Sequence, residues 1–226
     1  HDNGLAGAQA PRREASVDYR RAIWAAVGFV LVAFTLGLFW LWFFLRQDAY
    51  RPEPRRLVAL TFALGCVSTI PAGIIEAIFL GDFDLETGTL VGTGAAMFPV
   101  VGPIEEVCKF AVVRLKSYRS FFDEPTDGLV YAAAASLGFA SLENLFYVAD
   151  YGPQVMILRA PLSTVGHLVF DSIWGYALGV LHASGAKRTG LVVVSLILAA
   201  VAHATFNVAA FGFPLGAVAL VVGGAV

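Results

Sequence analysis

Residues 97–115 read MFPVVGPIEEVCKFAVVRL, an apolar stretch that carries two prolines, a glycine and an embedded acidic pair. Proline removes a backbone N–H donor and kinks or breaks a helix. The stretch therefore predicts a helix that is interrupted before Glu105 and Glu106. Irregular backbone at membrane depth is tolerated only where protein or water covers it. We expect a half-helix that begins near Pro103 and points its N-terminus into a polar cavity.

The composition of the whole chain is typical of a membrane protein. Of its 226 residues, 58% are hydrophobic and 14% are charged, and the mean hydropathy is +0.74. Soluble domains have about 25% charged residues. The net charge of −2 gives no electrostatic case for a nucleic-acid partner. We predict an all-α polytopic membrane protein that is embedded in the lipid bilayer.

Six stretches are long and apolar enough to cross the hydrocarbon layer, which takes about 20 residues. They are residues 22–45, 57–80, 89–115, 127–149, 157–183 and 190–211. Residues 212–226 are apolar but short, so the prediction is six to seven transmembrane helices with a broken third span. Residues 1–21 are predicted to be a disordered polar and basic segment. Residues 22–226 are predicted to form one transmembrane helical domain with a catalytic core at about 99–207.

The lysine and arginine residues near the connections predict the orientation, because cytoplasmic loops carry an excess of these residues. The loops after the third and fifth spans carry or adjoin five of them: Arg114, Lys116, Arg119, Lys187 and Arg188. The loops after the second and fourth spans adjoin only Arg159. The first two loops are therefore predicted to face the cytoplasm and the other two the outside.

Eight polar residues on the third to sixth predicted spans form the candidate catalytic site. They are Glu105, Glu106, Lys109, Glu143, Asn144, His167, His203 and Asn207. An ionisable group at the bilayer centre costs about 2.5–3.5 kcal/mol on insertion scales, and such groups usually face a protein interior or a water-filled cavity. Their accumulation on four successive spans predicts one shared polar interior. Structural ion pairing alone is the alternative interpretation.

Helical spacing predicts which of these side chains act together. Lys109 follows the acidic pair by three and four residues, so we expect it to neutralise one of the two carboxylates. His167 and Asp171 are four residues apart, and we expect Asp171 to orient that imidazole. His203 and Asn207 have the same spacing and share a helix face. Asparagines in a span also hydrogen-bond between helices, which is the alternative role for both asparagines of the site.

Depth in the membrane is a second test of convergence. Counted from the outer ends of their spans at 1.5 Å per residue, Glu143, His167 and His203 lie about 9, 15 and 12 Å below the outer boundary. Glu105 is deeper by the same count, unless the break in its span raises it. These depths predict a site in the outer half of the membrane.

Two hydrolytic chemistries fit this set of residues. Glu143, His167 and His203 offer a carboxylate and two imidazoles, a ligand set for Zn²⁺ that leaves one position for water. Alternatively, a glutamate activates water without a metal, while histidine and asparagine donors hold the developing oxyanion. Either arrangement hydrolyses an amide, so we predict an intramembrane endopeptidase with zinc as the candidate cofactor.

A proton- or ion-coupled membrane transporter is the alternative function. Intramembrane acidic, basic and histidine residues also mark ion pathways, and a broken helix is a feature of transporter folds. However, no two interrupted spans occupy corresponding positions in two halves of the sequence. A scaffold that only binds transmembrane partners is a third hypothesis, which the acidic pair of the third span disfavours.

The order of these motifs resembles that of the PrsW family of intramembrane proteases. Residues 105–109, Glu-Glu-Val-Cys-Lys, match the Glu-Glu-x-x-Lys motif of that family. The other matching elements are residues 123–128 (DEPTDG), residues 138–144 (GFASLEN), His167 and the His203-x-x-x-Asn207 pair. The resemblance extends over about 99–207, in the expected order and on separate spans.

This resemblance implies a protease of the wider group that includes the CAAX-processing and bacteriocin-processing membrane proteases. Those proteins have a Glu-Glu-x-x-x-Arg motif, and they carry a histidine where this chain has Glu143. By that analogy Glu105 activates water, Glu106 supports it, and His203 and Asn207 hold the oxyanion. The family implies a multi-pass protein of a prokaryotic plasma membrane. Its substrate would be a single-span membrane protein, such as an anti-sigma factor, cut near the extracytoplasmic side.

Overall fold

The computed structural model describes residues 11–47, 51–81, 92, 94, 97–115, 122–157, 159–185 and 189–212. Its helices are α1 (Pro11–Gln47), α2 (Arg55–Leu80), α3 (Gly102–Leu115), α4 (Pro125–Tyr151), α5 (Arg159–Ala183) and α6 (Thr189–Gly212). A π-helical turn, Met97–Val101, precedes α3, and a 3₁₀ turn, Pro153–Met156, joins α4 to α5. All regular structure in the described residues is helical, which confirms the predicted all-α class.

Four of these helices are long and apolar enough to cross a membrane. Their spanning parts are Tyr19–Arg46, Arg55–Leu80, Pro125–Tyr151 and Thr189–Ala210. Helix α5 has 25 residues, a length of about 37 Å at 1.5 Å per residue. Helix α3 has 14 residues, so its length of about 21 Å is too short to span alone. The chain is a multi-pass membrane protein, as predicted.

The predicted break in the third span coincides with a change of helix type. Met97–Val101 forms a π-helical turn around Pro99, and the regular helix α3 begins directly afterwards at Gly102. Pro99 and Pro103 flank this change of helix type, since proline cannot donate a backbone hydrogen bond. The acidic pair lies in the first turn and a half of α3.

The ends of the chain differ in part from the sequence prediction. Helix α1 begins at Pro11, earlier than the predicted start at residue 22. Proline is favoured at the first helical position, and the arginines, alanine and glutamate that follow it have high helix propensity. The disorder predicted for residues 1–10 lies outside the described residues. So do residues 213–226, the main part of the predicted seventh stretch.

Helix α4 is the centre of the bundle because its small residues let its neighbours approach closely. It packs against α1, α2, α3 and α5, and Ala132 to Ala135 are buried. A Cβ atom on Gly138 would lie 2.0 Å from the carbonyl oxygen of Phe62 in α2. A Cβ on Gly128 would lie 2.1 Å from that of Gly175 in α5. Membrane helices whose backbones approach this closely typically have small residues at their contact.

A second close contact places α3 against α6. A Cβ atom on Gly102, the first residue of α3, would lie 2.6 Å from the carbonyl oxygen of Ala200 in α6. His203 follows Ala200 by three residues, and Glu105 and Glu106 follow Gly102 by three and four. Each group is therefore about one helical turn from the contact. The glycine at the break thus brings the acidic pair next to a histidine of the last helix.

Candidate active site

Among the three glutamates of the candidate site, Glu106 accepts the most hydrogen bonds. Its Oε1 accepts hydrogen bonds from Lys109 Nζ at 2.5 Å and from His203 Nδ1 at 2.8 Å. Its Oε2 accepts a third from Trp174 Nε1 at 3.0 Å. The side chain is fully buried, so these contacts replace the water that the carboxylate would otherwise bind. Glu106 is thereby fixed in one position between α3, α5 and α6.

Lys109 is a buried cation that links two carboxylates to an imidazole. Its Nζ lies 2.5 Å from Glu106 Oε1 and 3.0 Å from Asp171 Oδ1. It also lies 3.2 Å from His167 Nδ1. The predicted pairing with the acidic motif is therefore made to Glu106, at i, i+3. Asp171 contacts this cation rather than the imidazole that it was expected to orient.

His167 is held by Glu143, and its partners decide which of its nitrogens carries the proton. Its Nε2 lies 2.9 Å from Glu143 Oε2, an atom that can only accept. Its Nδ1 faces Lys109 Nζ, which can only donate. The neutral imidazole therefore carries its proton on Nε2 and a lone pair on Nδ1. Glu143 Oε1, the second carboxylate oxygen, accepts from Arg159 Nη2 at 2.6 Å.

His203 has the opposite tautomer. Its Nδ1 donates to Glu106 Oε1, so the lone pair of the neutral ring is on Nε2. The ring lies edge-on to that of His167, with centroids 4.7 Å apart. Phe170 stacks on it at 5.4 Å, and Phe139 lies 5.8 Å from the His167 ring. Both imidazoles are thus oriented by one carboxylate each and enclosed by aromatic rings.

Glu105 lies within 4 Å of the unprotonated nitrogen of each imidazole. Its Oε2 is 3.9 Å from His167 Nδ1 and 3.6 Å from His203 Nε2. The residue is 3% exposed, and this oxygen has no hydrogen-bond partner. One ligand atom from each of the three residues lies within 4.8 Å of the other two. A buried carboxylate oxygen close to two unprotonated imidazole nitrogens is a donor set that a cation would satisfy.

The structure therefore groups the candidate metal ligands differently from the sequence. The predicted set was Glu143, His167 and His203, whereas the three converging residues are Glu105, His167 and His203. Glu143 contacts Nε2 of His167, whereas Glu105 lies near Nδ1. Glu143 is thus placed as a carboxylate that orients a histidine from the opposite side of its ring. Glu105 Oε2 lies within 4 Å of a nitrogen of each histidine, a proximity that the depth count along straight helices did not predict.

The two asparagines lie farther from this centre. Asn144 is buried, and its Nδ2 donates to Thr164 Oγ1 at 3.3 Å, a link between α4 and α5. That contact agrees with the alternative role as a hydrogen bond between helices. Asn207 lies one turn beyond His203 on α6 and is half-buried. Of the eight predicted site residues, the structure brings six into one contact network and leaves the asparagines beside it.

Sequence reasoning missed two members of the network, Trp174 and Arg159. Both have a periodic signal that could have found them. Trp174 follows His167 by seven residues and Asp171 by three, which places it on the same face of α5. Arg159 precedes His167 by eight residues, about two turns, and was counted only as a loop charge. The stripe on α5 that contains His167 extends further in both directions than was predicted.

Comparison with known proteins identifies a family over the part of the chain that contains these residues. The family described as PrsW family intramembrane metalloprotease matches residues 53–226, a range that contains every residue of the network. The chain belongs to the PrsW family. The family resemblance predicted from the motifs is thus confirmed.

The curated relatives of the PrsW family are bacterial. The chain is 33% identical over 175 residues to Protease PrsW of Bacillus subtilis, which covers 76% of this chain and 77% of that protein. It is 31% identical over 172 residues to Protease PrsW of Geobacillus kaustophilus, over 76% and 74% of the two chains. No solved structure gives a significant match. The chain is therefore a peptidase, a multi-pass protein of a bacterial membrane, and its substrate is a membrane protein.

Proposed function

We propose that the cluster around Glu105 hydrolyses a peptide bond of a single-span membrane protein. One observation carries this proposal. The buried Oε2 of Glu105 has no hydrogen-bond partner and lies within 4 Å of the unprotonated nitrogens of two oriented imidazoles. A water molecule placed among these three atoms, alone or bound to a metal ion, would be activated at a buried position that is shielded from bulk water.

Glu105, His167 and His203 are the residues that would hold a metal ion, and their carboxylate and imidazole donors suit zinc. Zinc in such a site activates a bound water and polarises the carbonyl of the scissile bond. Glu106 and Glu143 would hold the two imidazoles as carboxylates do behind histidine ligands. Binding through His167 Nδ1 would require Lys109 to give up its contact with that atom, while its contacts with Glu106 and Asp171 remain.

Without a metal, the same three residues support the second chemistry predicted from the sequence. Glu105 Oε2 would accept a proton from a water molecule and so generate the nucleophile. Asn207, on the same face of α6 as His203, is the proposed donor to the oxyanion. Cleavage that survives removal of metal by a chelator would select this version, and cleavage that is lost and then restored by Zn²⁺ would select the metal version.

The position of the site supports cleavage near the outer side of the membrane. Glu143 lies in the second half of α4, and His167 lies in the first half of α5. The cluster is therefore nearer to the connection between these two helices, which the count of lysine and arginine predicts to be outside. Together with the family, this supports an anti-sigma factor with a single span as the substrate.

The test is cleavage of a tagged single-span anti-sigma factor from the host bacterium by the purified protein in liposomes. We expect one cut, and we expect Glu105→Gln to abolish it. Glu53→Gln is the matched control, because Glu53 is buried and hydrogen-bonded to Tyr131 outside the cluster. Full activity of Glu105→Gln would contradict the proposal.

A further inference from the structure

Arg159 is the cation beside Glu143, and it takes no part in either proposed hydrolytic chemistry. Arg159 is the first residue of α5, and its Nη2 donates to Glu143 Oε1 at 2.6 Å. The other oxygen of Glu143 lies 2.9 Å from His167 Nε2. The carboxylate therefore bridges a guanidinium group and an imidazole, with one oxygen for each.

We propose that Arg159 is a positioning residue of the peptidase centre. It holds Glu143 in the position that keeps the proton of His167 on Nε2 and leaves Nδ1 unprotonated, 3.9 Å from Glu105 Oε2. This inference rests on the proposed function, because it assigns a role at the same centre. It extends the centre to a residue at the end of a helix.

Arg159 is itself held on a second side. Its guanidinium carbon lies 3.2 Å from the centroid of the Tyr147 ring. Tyr147 follows Glu143 by four residues, so both partners of Arg159 lie on one face of α4. A planar guanidinium group can stack on a ring and donate to a carboxylate at the same time, which the ammonium group of lysine cannot do in the same way. The orientation of Glu143 is therefore set by a cation that is fixed to the same helix.

The chain of contacts has a direct consequence for His167. Lys109 donates to Nδ1, and Glu143 accepts from Nε2. If the Glu143 carboxylate swung away, Nε2–H would lose its acceptor, and only the Lys109 contact would hold the ring. The ring could then rotate away from Lys109 and exchange its proton between the two nitrogens, so that an unprotonated Nδ1 near Glu105 would be lost. An ion pair that only stabilised the fold would have no effect on the His167 tautomer.

A double-mutant cycle tests this role with two readouts. The variants are Arg159→Gln, Arg159→Lys, Glu143→Gln and the double variant Arg159→Gln/Glu143→Gln. The first readout is kcat and KM for the tagged anti-sigma factor. The second is the ¹⁵N NMR spectrum of the histidine side chains, in which His167 is assigned by comparison with His167→Gln.

We expect Arg159→Gln to lower kcat about 10–100-fold, the usual effect of losing an outer partner of a histidine at such a centre. KM should change little, and the spectrum should show that His167 no longer has a single Nε2–H tautomer. Arg159→Lys should recover part of kcat. The double variant should be no slower than Glu143→Gln alone, because residues that act through one another are not additive.

The matched control is Arg46→Gln. The guanidinium of Arg46 also lies over an aromatic ring, that of Trp42 at 4.9 Å, but on α1. This variant should retain wild-type kcat and the wild-type spectrum. Loss of kcat in it would show that any arginine at the end of a span has the effect, and would overturn the specific role of Arg159.

Wild-type kcat and an unchanged His167 spectrum in Arg159→Gln would overturn the proposal, and so would additive losses in the double variant. If Arg159→Gln does not fold, unchanged kcat and spectrum in Arg159→Lys would overturn it instead. The spectrum requires no substrate. A wild-type protein that cleaves nothing would therefore contradict the proposed function, while the tautomer of His167 would still decide the role of Arg159.

Discussion

The two imidazoles of the centre are held by carboxylates in contrasting surroundings. On the closed side, defined by Glu106, His203, Lys109 and Trp174, every side chain is buried. On the boundary side, defined by Glu143, His167 and Arg159, the carboxylate side chain is 13% exposed and the guanidinium side chain 22%. Both sides perform the same task of fixing a tautomer. They differ in how much of the fold depends on each carboxylate.

This difference follows from the number of partners. Glu106 has three hydrogen-bond donors and links α3, α5 and α6. Glu143 has two, both from α5. Removing one partner of a buried ion pair leaves an uncompensated charge, whereas a partly exposed pair can be hydrated. We therefore expect changes on the closed side to unfold the protein, and changes on the boundary side to affect catalysis first.

The largest effect is expected for Glu106→Gln. The change leaves Lys109 with one carboxylate partner and His203 without its anionic acceptor, and breaking a buried pair costs about 3–5 kcal/mol. The midpoint of thermal unfolding in detergent should fall much further than in Glu143→Gln. Equal losses of stability in the two variants would remove the distinction between the two sides.

A smaller loss is expected for Gly102→Ala, which tests the contact that brings α3 to the closed side. The added Cβ would lie 2.6 Å from the Ala200 carbonyl oxygen, so the helices must separate. Overpacking of this kind costs about 1–3 kcal/mol. Cleavage should fall with stability, since Glu105 moves with α3. Gly73→Ala is the control, because a Cβ there would meet no atom within 4 Å; similar losses in both variants would contradict the contact.

Trp174→Phe tests a single hydrogen bond on the closed side. It removes the indole N–H that donates to Glu106 Oε2 and keeps an aromatic ring against Phe110. A hydrogen bond to a charged group contributes about 1.5–3 kcal/mol, and part of the lost volume adds to that. Urea titration of the helical signal should show the loss. A variant as stable as the wild type would mean that Trp174 acts only by packing.

The smallest effect is expected for Asn144→Ala. Its hydrogen bond to Thr164 joins α4 to α5 beside the boundary side, and such bonds between membrane helices average about 0.6 kcal/mol. Stability and kcat should both remain close to those of the wild type. A loss of cleavage comparable to that of Glu105→Gln would place Asn144 in the chemistry and would extend the centre along α4.

Much of this fold could be predicted from hydropathy because length and apolarity are local properties. The break in the third span was predicted at the position where the π-helical turn lies, since proline acts on its own backbone. The start of α1 was not predicted at the right residue, because its first turns are charged: they have helix propensity but are not apolar. The family could be predicted because its motifs are short and ordered along the chain.

Hydropathy and spacing predicted that six of the candidate residues share one interior, but not how they contact one another. Depth counted along straight helices grouped Glu143 with the histidines, whereas the structure places Glu105 within 4 Å of both. Arg159 lies at the end of a span, so it was counted as a topological charge rather than as part of the cluster. A hydropathy pattern treats Trp174 as an apolar residue. Its indole N–H becomes significant only when the fold places Glu106 within hydrogen-bond distance of it. These features depend on how helices pack, which hydropathy does not encode.

Metal analysis of purified variants tests the central claim most directly, because it separates the two candidate ligand sets. In the metal version of the proposed mechanism, the wild type and Glu143→Gln should each bind one ion per chain at saturating Zn²⁺, with weaker binding in the variant. Glu105→Gln should bind none with comparable affinity and should not cleave the anti-sigma factor. Retention of the ion by Glu105→Gln together with its loss from Glu143→Gln would contradict a centre built on Glu105.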